Sequence, residues 1–412
     1  TISHLDYEFA NDGFTGDNVS NTTIDNVVMV GNLSLSANGI YLTNSSDLTL
    51  TNNTITVGGD YGIYSPDSPN LMVDGNDVSG VEYGIYSPDS PNSLFGNNEI
   101  SSVSTGLYLV NSTNSVIQSN DISAESYGIN IYNTDSMAVS DNIILVNSEF
   151  VKQWRYGVEN NNSVGSVFQN NTITVDIQRG NFGVLIASDA IIDSNILTGI
   201  EEMCHWNSQS WVINSDRSII INNTIDHQNY NQCEHYNSGA ITSHGNQNIT
   251  SIIHDNVINA SGPYPINNMG VEASYADIQD NIIATQGVSI SIGSNSSVSF
   301  NTITSNSRAI ESNDSNSLTI SNNTITSNST AINLNGSDVL ISHNLIESQG
   351  RGVEMSNQSG GEIINNTIVS PNSADYGIHI SNLSAPVVQN NIVESFTNGI
   401  YAENDLQNQF IQ

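Results

Sequence analysis

The sequence predicts an all-β chain wound into a parallel β-helix, and three observations carry that prediction. First, the segment Asn-x-Ile/Val/Leu recurs at Asn53, Asn76, Asn98, Asn120, Asn142, Asn171, Asn195, Asn223, Asn256, Asn281, Asn301, Asn323, Asn344, Asn366 and Asn391, with Asn32, in Asn32-Leu33-Ser34-Leu35, counted as a looser first member. The spacings are mostly 20 to 25 residues, with 29, 28 and 33 in the middle. Second, each period holds short apolar pieces bounded by Gly, Asn, Asp, Ser or Pro, which is the pattern of strands and turns. Third, no window sustains a 3.6-residue period, and Asn, Ser and Gly are poor helix-interior residues.

Each element of one coil then has a reason. Pieces such as Thr54-Ile55-Thr56, Gly62-Ile63-Tyr64 and Leu71-Met72-Val73 are too short to bury themselves. They become stable when equivalent strands stack above and below, so every coil needs its neighbours. About 16 coils of roughly 22 residues follow, each giving one strand to each of three parallel sheets. The recurring Asn marks one bend of the coil. Its amide can donate to and accept from the Asn above and below, and Asn also tolerates left-handed backbone. A Gly-Ile-Tyr-like triplet precedes most of these Asn residues, as at Gly62, Gly84, Gly106 and Gly128. The block Tyr-Gly-Ile-Tyr-Ser-Pro-Asp-Ser-Pro-Asn occurs identically at 61–70 and 83–92.

With these repeats the sequence resembles the right-handed parallel β-helix superfamily, the pectin-lyase-like proteins, and especially the generic β-helix-repeat proteins of cell surfaces and periplasm. The resemblance covers roughly residues 20–405. It implies a single-stranded right-handed parallel β-helix, the hand that the crossover rule also favours. It leaves function open, because the scaffold carries lyases, hydrolases, epimerases, adhesins and structural domains. The Asp-Pro-His-like signature of the related mannuronan epimerases is absent, and no pectate-lyase motif can be carried over.

The expected organisation is an N-terminal cap and first irregular coil at 1–31, the helix at 32–405 with enlarged connections in 142–270, and a C-terminal tail at 406–412, read either as a short cover for the last coil or as a truncation point. Leu5, Tyr7, Phe9 and Phe14 are the expected cap, since an open coil end exposes unpaired edges. The chain carries 41 acidic and only 6 basic residues, a net charge of -35. That balance argues against nucleic acid and anionic membrane as partners. No apolar run reaches the ~20 residues that span a bilayer. The chain starts at Thr1, which reads as a processed or trimmed start. An extracellular or cell-surface location, a glycan partner and a monomer fit these features.

Strand alternation puts the residue after the inward Ile of the Gly-Ile-Tyr strand on the outside. Read coil by coil, that stripe is Tyr41, Tyr64, Tyr86, Tyr108, Asn130, Glu159 and Leu185, then Ile241, Glu272, Ser289, Glu311, Asn333, Glu354, His379 and Tyr401, with Trp211 between the two runs. Stacked tyrosines can simply cover the sheet or can make an aromatic track for sugar rings. The enlarged connections follow the Asn-x-Ile strand and gather the rare residues: Phe150, Lys152, Trp154 and Arg155; Asp176, Arg179 and Phe182; Glu201, Glu202, Cys204, His205 and Trp206; Asp226, His227, Cys233, Glu234, His235 and Tyr236; and Tyr264. Loops on a rigid frame are where sites usually sit. Cys204 and Cys233 fall at matching places in neighbouring coils. A disulfide is the favoured expectation; a Cys2His2 metal site and free thiols are the alternatives.

Two chemistries fit such a cleft, and a lyase is the leading expectation. β-Elimination on an anionic polysaccharide needs its carboxylate neutralised, by Lys152, Arg155 or Arg179, a base, His205 or His235, and an acid, Tyr236. Hydrolysis needs two carboxyl groups, drawn from Glu159, Glu201, Glu202, Asp226, Glu234 and Glu272. Trp154, Trp206, Trp211, Tyr108, Tyr264 and Glu272 are the candidate sugar contacts. Calcium held by Asp and Asn oxygens is compatible with either route, although no known calcium-loop motif is present. Outside the enzymes, the same sequence suits an adhesin or structural rod that binds glycan or protein.

Overall fold

The computed structural model describes residues 1–9, 12–31, 37–148, 154–203, 210–230, 238–262 and 268–403. The chain is an all-β, single-stranded parallel β-helix of about 16 coils. It forms two compact units, Thr1–His205 and Trp206–Gln412.

In the first unit one coil consists of Thr49–Thr51, Thr54–Thr56 and Tyr61–Tyr64, which belong to a first, second and third sheet. Each strand pairs in parallel with its equivalent one coil on: Leu50 with Val73, Ile55 with Val78, and Ile63 with Ile85. At Asp77–Pro88 and Glu99–Val110 the second and third strands run together as one strand with a register irregularity between them. Inward side chains make three apolar columns. Phe95 and Ile117, Ile100 and Ile122, and Leu107 and Ile129 are all 0–1% exposed. Full burial of one such side chain contributes roughly 2–3 kcal/mol, so the stacking of coils supplies what a three-residue strand cannot supply alone. Residues 1–31 use the same design: Ile2–Ser3 pairs with Thr23–Asp25, Asp6–Phe9 with Val28–Gly31, and Phe14–Asp17 with Ile40–Thr43.

The recurring Asn forms a buried ladder in each unit. Asn53 donates its side-chain and backbone N–H groups to Oδ1 of Asn76, at 2.9 and 3.0 Å. Asn76, Asn98, Asn120, Asn142 and Asn171 repeat the pattern up to Asn195. In the second unit the rungs run from Asn223 through Asn256 and Asn281 to Asn391. The same Nδ2 also donates to a first-sheet carbonyl of the preceding coil, as Asn98 does to Val73 at 3.0 Å. In these rungs both Oδ1 contacts come from N–H donors, so a buried polar column costs little. The left-handed backbone expected at the ladder Asn falls instead on the residue before it, such as Asn52, Asn97, Ser119 and Asp141, with φ of 53–58°.

Among the described residues of the middle, part of the expected enlarged connection is strand. The strands lengthen instead: Ile143–Ser148, Trp154–Asn161, Thr172–Arg179, Asn181–Ala187 and Ile196–Met203. Asp176 lies within a strand, between Asn147 and Ile200 in register, and Phe182 is a core residue with no exposure. Only Gly180 separates Thr172–Arg179 from Asn181–Ala187.

Candidate functional site

The third sheet of the first unit positions the most developed surface. Its strand reads Tyr-Gly-Ile-Tyr, and strict alternation would send the first tyrosine inward. The structure places Tyr61 and Tyr64 on the same face with ring centroids 4.7 Å apart, while Gly62 and Ile63 are both buried. Glycine makes this possible through space. A Cβ at Gly84 would lie 2.3 Å from Ile100 Cγ2 and 2.5 Å from the Gly106 carbonyl oxygen. The local break in alternation gives two outward columns per coil, one of which alternation from sequence misses. The repeated Tyr-x-x-Tyr spacing around a fixed Gly was the signal for it.

Those columns build two aromatic clusters, one from Tyr41 to Tyr108 and one of Tyr127, Tyr156 and Trp154, with Thr105 and Asn130 at the column positions between them. Tyr41 meets Tyr64 at 4.6 Å, Tyr64 meets Tyr86 at 5.4 Å, and Tyr86 stacks on Tyr108 at 4.8 Å with 9° between the rings. In the other column Tyr61 meets Tyr83 at 5.7 Å, and further along Tyr127 stacks on Tyr156 at 5.3 Å. Trp154 extends the stack, 5.8 Å from Tyr156 and nearly parallel to it. Trp154 is 39% exposed, so this end of the surface is open to solvent.

Glu159 follows Tyr108 and Asn130 in the outer column by register. Burial pushes its carboxyl above the ordinary carboxylate range, opposed in part by a hydrogen bond with Asn161. Burial, with Glu159 nearby, drives the Tyr156 hydroxyl well above the usual phenol range. Arg155 is 5% exposed and donates from Nη1 to the carbonyl of Trp154 at 3.2 Å; burial lowers its pKa. Asn130 and Ile186 are the register neighbours of Glu159, so the adjacent coils add no second carboxylate to its column.

Residues 12–173 and 308–411 match the family model described as right handed beta helix region, more than half of the chain. The chain belongs to the right-handed β-helix family. Among solved structures it is similar to the A-module of the Azotobacter vinelandii mannuronan C-5 epimerase AlgE4, with 11% identity over 85% of this chain and 91% of that one and a TM-score of 0.32. It is also similar to a mutant tailspike protein of E. coli bacteriophage HK620 in complex with pentasaccharide, with 12% identity over 98% of this chain and 70% of that one and a TM-score of 0.34. Likenesses of this level carry no statement about function. No curated protein matches the sequence significantly.

Several expected site residues of this right-handed β-helix sit elsewhere than alternation placed them. Leu185 is a core residue paired with Val158, and Ile186 takes the outer position. In the second unit Ile241 is core and Thr242 pairs with Glu272; Ser291, not Ser289, follows Glu272. Trp211 pairs with Gly239 and is 7% exposed, while Asn214 holds the outer position of that coil. At Leu185 and Ile241 the shift arises because the reference glycine sits one residue early: register sets Val184 and Ala240, not Gly183 and Gly239, level with Gly157 and Gly270, and an offset of one residue reverses which side chains face out. Glu201 lies on an extended strand at an inward position, 2% exposed. Lys152, Cys204, His205, Trp206, Cys233, Glu234, His235, Tyr236 and Tyr264 lie outside the described residues, as do the side chains of Arg179 and Glu202. The expected disulfide is withdrawn: none is found among the described residues, and both cysteines fall outside them. Among the described residues no group of three or more His, Cys, Asp or Glu side chains is arranged to hold a metal ion, and no helix is long and apolar enough to cross a membrane.

The second unit uses the same outward positions with different chemistry. Arg308 donates to Glu311 at 3.0 Å, and Arg351 pairs with Glu354. Glu354, His379 and Tyr401 then follow in register. The rings of Tyr376, His379 and Tyr401 cluster together, with His379 4.9 Å from Tyr376 and 5.6 Å from Tyr401 and the two tyrosines 4.9 Å apart, and Arg351 sits 5.6 Å from the Tyr376 centroid.

Proposed function

We propose that this protein is an extracellular polysaccharide-binding β-helix, and that the tyrosine face of its first unit, from Tyr41 to Trp154, is the binding surface. The carrying observation is the doubled column of partly exposed, mutually stacked rings on a rigid sheet. Flat apolar rings with hydroxyl rims suit the faces and edges of pyranose units, and their two-angle side chains lose little freedom on binding. Covering a sheet requires only one outward column. The break in alternation at Gly62 and Gly84 adds a second, Tyr61 and Tyr83, which widens the platform there.

A catalytic reading has one observation in its favour. Glu159 sits at the end of the track with its carboxyl held toward the protonated form, as a general acid for glycosidic cleavage requires. A lyase on an anionic polysaccharide finds less support among the described residues, since Arg155 is buried rather than presented to a substrate carboxylate. The deciding experiment incubates the protein with a panel of neutral and anionic polysaccharides, following new reducing ends and the ultraviolet absorbance of unsaturated products. New reducing ends without ultraviolet absorbance, lost in Glu159→Gln, support hydrolysis. Unsaturated products that survive in Glu159→Gln move the chemistry to the Lys152–Tyr236 region. Binding without either product leaves a binding module.

A further inference from the structure

The charge around the tyrosine face selects among glycans. Every Lys and Arg lies at or beyond Lys152, and every charged side chain from Asp47 to Asp141 is a carboxylate. The fold puts several of these on the rims of the track. Asp60 and Glu82 immediately precede Tyr61 and Tyr83 and occupy neighbouring coils, tied by the bond from the Tyr83 backbone N–H to the Asp60 carbonyl at 2.8 Å. On the other rim Asp67 and Asp89 sit in left-handed turns after Tyr64 and Tyr86, one coil apart. All four are exposed. Their charge reaches the rings: Asp60 raises the Tyr61 and Tyr83 hydroxyl pKa values, Glu82 that of Tyr83, and Asp67 that of Tyr64, each beside the larger effect of burial.

We propose that the track takes a glycan bearing protonated amines, an amino-sugar polymer, in preference to its N-acylated form and against any polyuronate. This rests on the glycan-binding reading above and names its substrate class. Aromatic faces attract an ammonium group through their quadrupole, and carboxylates on both rims add direct attraction. A uronate chain meets the same carboxylates as like charges, with no Lys or Arg from this stretch of sequence to offset them.

The test uses the full chain and three probes of equal length: an oligomer of glucosamine, an oligomer of N-acetylglucosamine and an oligomer of galacturonate. Calorimetric titrations are run at mildly acidic pH, where the amines are protonated, at low and high salt. The glucosamine oligomer binds tightest and weakens most with salt, and the galacturonate oligomer does not bind. In Asp60→Asn/Glu82→Gln, two exposed changes that spare the core, the glucosamine affinity falls roughly five- to tenfold while the N-acetylglucosamine affinity holds. Equal binding of the acylated and amine forms, a galacturonate affinity at or above theirs, or an unchanged ratio in the double variant overturns the substrate class alone. Failure of all three oligomers to bind overturns the glycan-binding reading and this inference with it.

Discussion

The third sheet of the first unit and that of the second are built on one strand pattern and present opposite surfaces. In both, a buried pair of a small residue and an aliphatic one separates two outward residues: Gly-Ile in the first unit, and Gly-Val, Gly-Ile or, at Ala309-Ile310, Ala-Ile in the second. In the first unit those residues are Tyr61 and Tyr64, Tyr83 and Tyr86. In the second they are Arg351 and Glu354, then Tyr376 and His379. The difference teaches that interior and exterior are specified separately. Glycine, the apolar columns and the asparagine ladder fix the coil, and the two outward positions are left free to carry aromatic or charged groups. A platform for rings and a row of ion pairs therefore cost the fold about the same.

That statement breaks first at the glycines. A methyl added at Gly106 would meet Ile122 Cγ2 at 2.3 Å and the Gly128 carbonyl at 2.6 Å; at Gly352 it would meet Ile368 Cγ2 at 2.3 Å and the Gly377 carbonyl at 2.5 Å. Backbone cannot yield there as a flexible side chain would. Gly106→Ala and Gly352→Ala should each destabilise their own unit by about 3 kcal/mol or more, read from denaturant midpoints. A large cost in one unit and none in the other would mean that the two interiors are not equivalent.

The units should also respond to acid with opposite sign. His227, fully buried on the second sheet of the second unit, has its pKa lowered by burial to about 4. Its folded pKa lies below the unfolded value of ~6.5. Its neutral form therefore costs nothing above ~6.5, and stability is lost as pH falls from there toward about 4, by up to about 3 kcal/mol. Glu159 in the first unit is raised. Its contribution is best below the unfolded pKa and declines as pH rises through the folded one. Hydrogen exchange across this pH range should show local protection around His227 falling on acidification, with the loss abolished in His227→Leu. Glu159→Gln should gain stability over the parent protein at neutral pH and not at acid pH. The same sign in both units would refute the contrast.

The smallest expected effect concerns the charged rows. Arg351 and Glu354 are both partly exposed, and such pairs contribute about 0.2–1 kcal/mol. A double-mutant cycle at Arg351 and Glu354 should fall in that range and shrink with salt. A coupling several times larger would mean that this row stabilises the second unit and is not free surface.

What could be read from the sequence follows the same division. The ladder from Asn53 to Asn195 was legible because every rung meets an identical partner, which holds its spacing. The inward Ile columns were legible for the same reason. Tyr61, Tyr83, Tyr127 and Tyr156 were missed as surface because alternation was applied across a glycine that suspends it. Leu185 and Ile241 were misplaced because Gly183 and Gly239 sit one residue before the position that glycine holds in the other coils, and Trp211 because its coil has no such glycine to count from; nothing in an isolated segment reports that offset. Asp176, Phe182 and Glu201 were taken for loop because their stretches exceed the repeat length. In the structure they extend the strands, since each added residue finds a partner in the next coil.

The most direct test of the central claim compares one ring from each face. Tyr86 stacks within the track and Tyr401 stacks on His379 in the second unit. Glycan binding should be measured by calorimetry for the parent protein, Tyr86→Ala and Tyr401→Ala with the N-acetylglucosamine oligomer. Tyr86→Ala should lose about tenfold or more in affinity, as removal of a stacking aromatic costs about 1–2 kcal/mol, and Tyr401→Ala should bind as the parent does. Equal affinities for all three proteins, or a loss confined to Tyr401→Ala, would contradict the assignment of the tyrosine face as the binding surface.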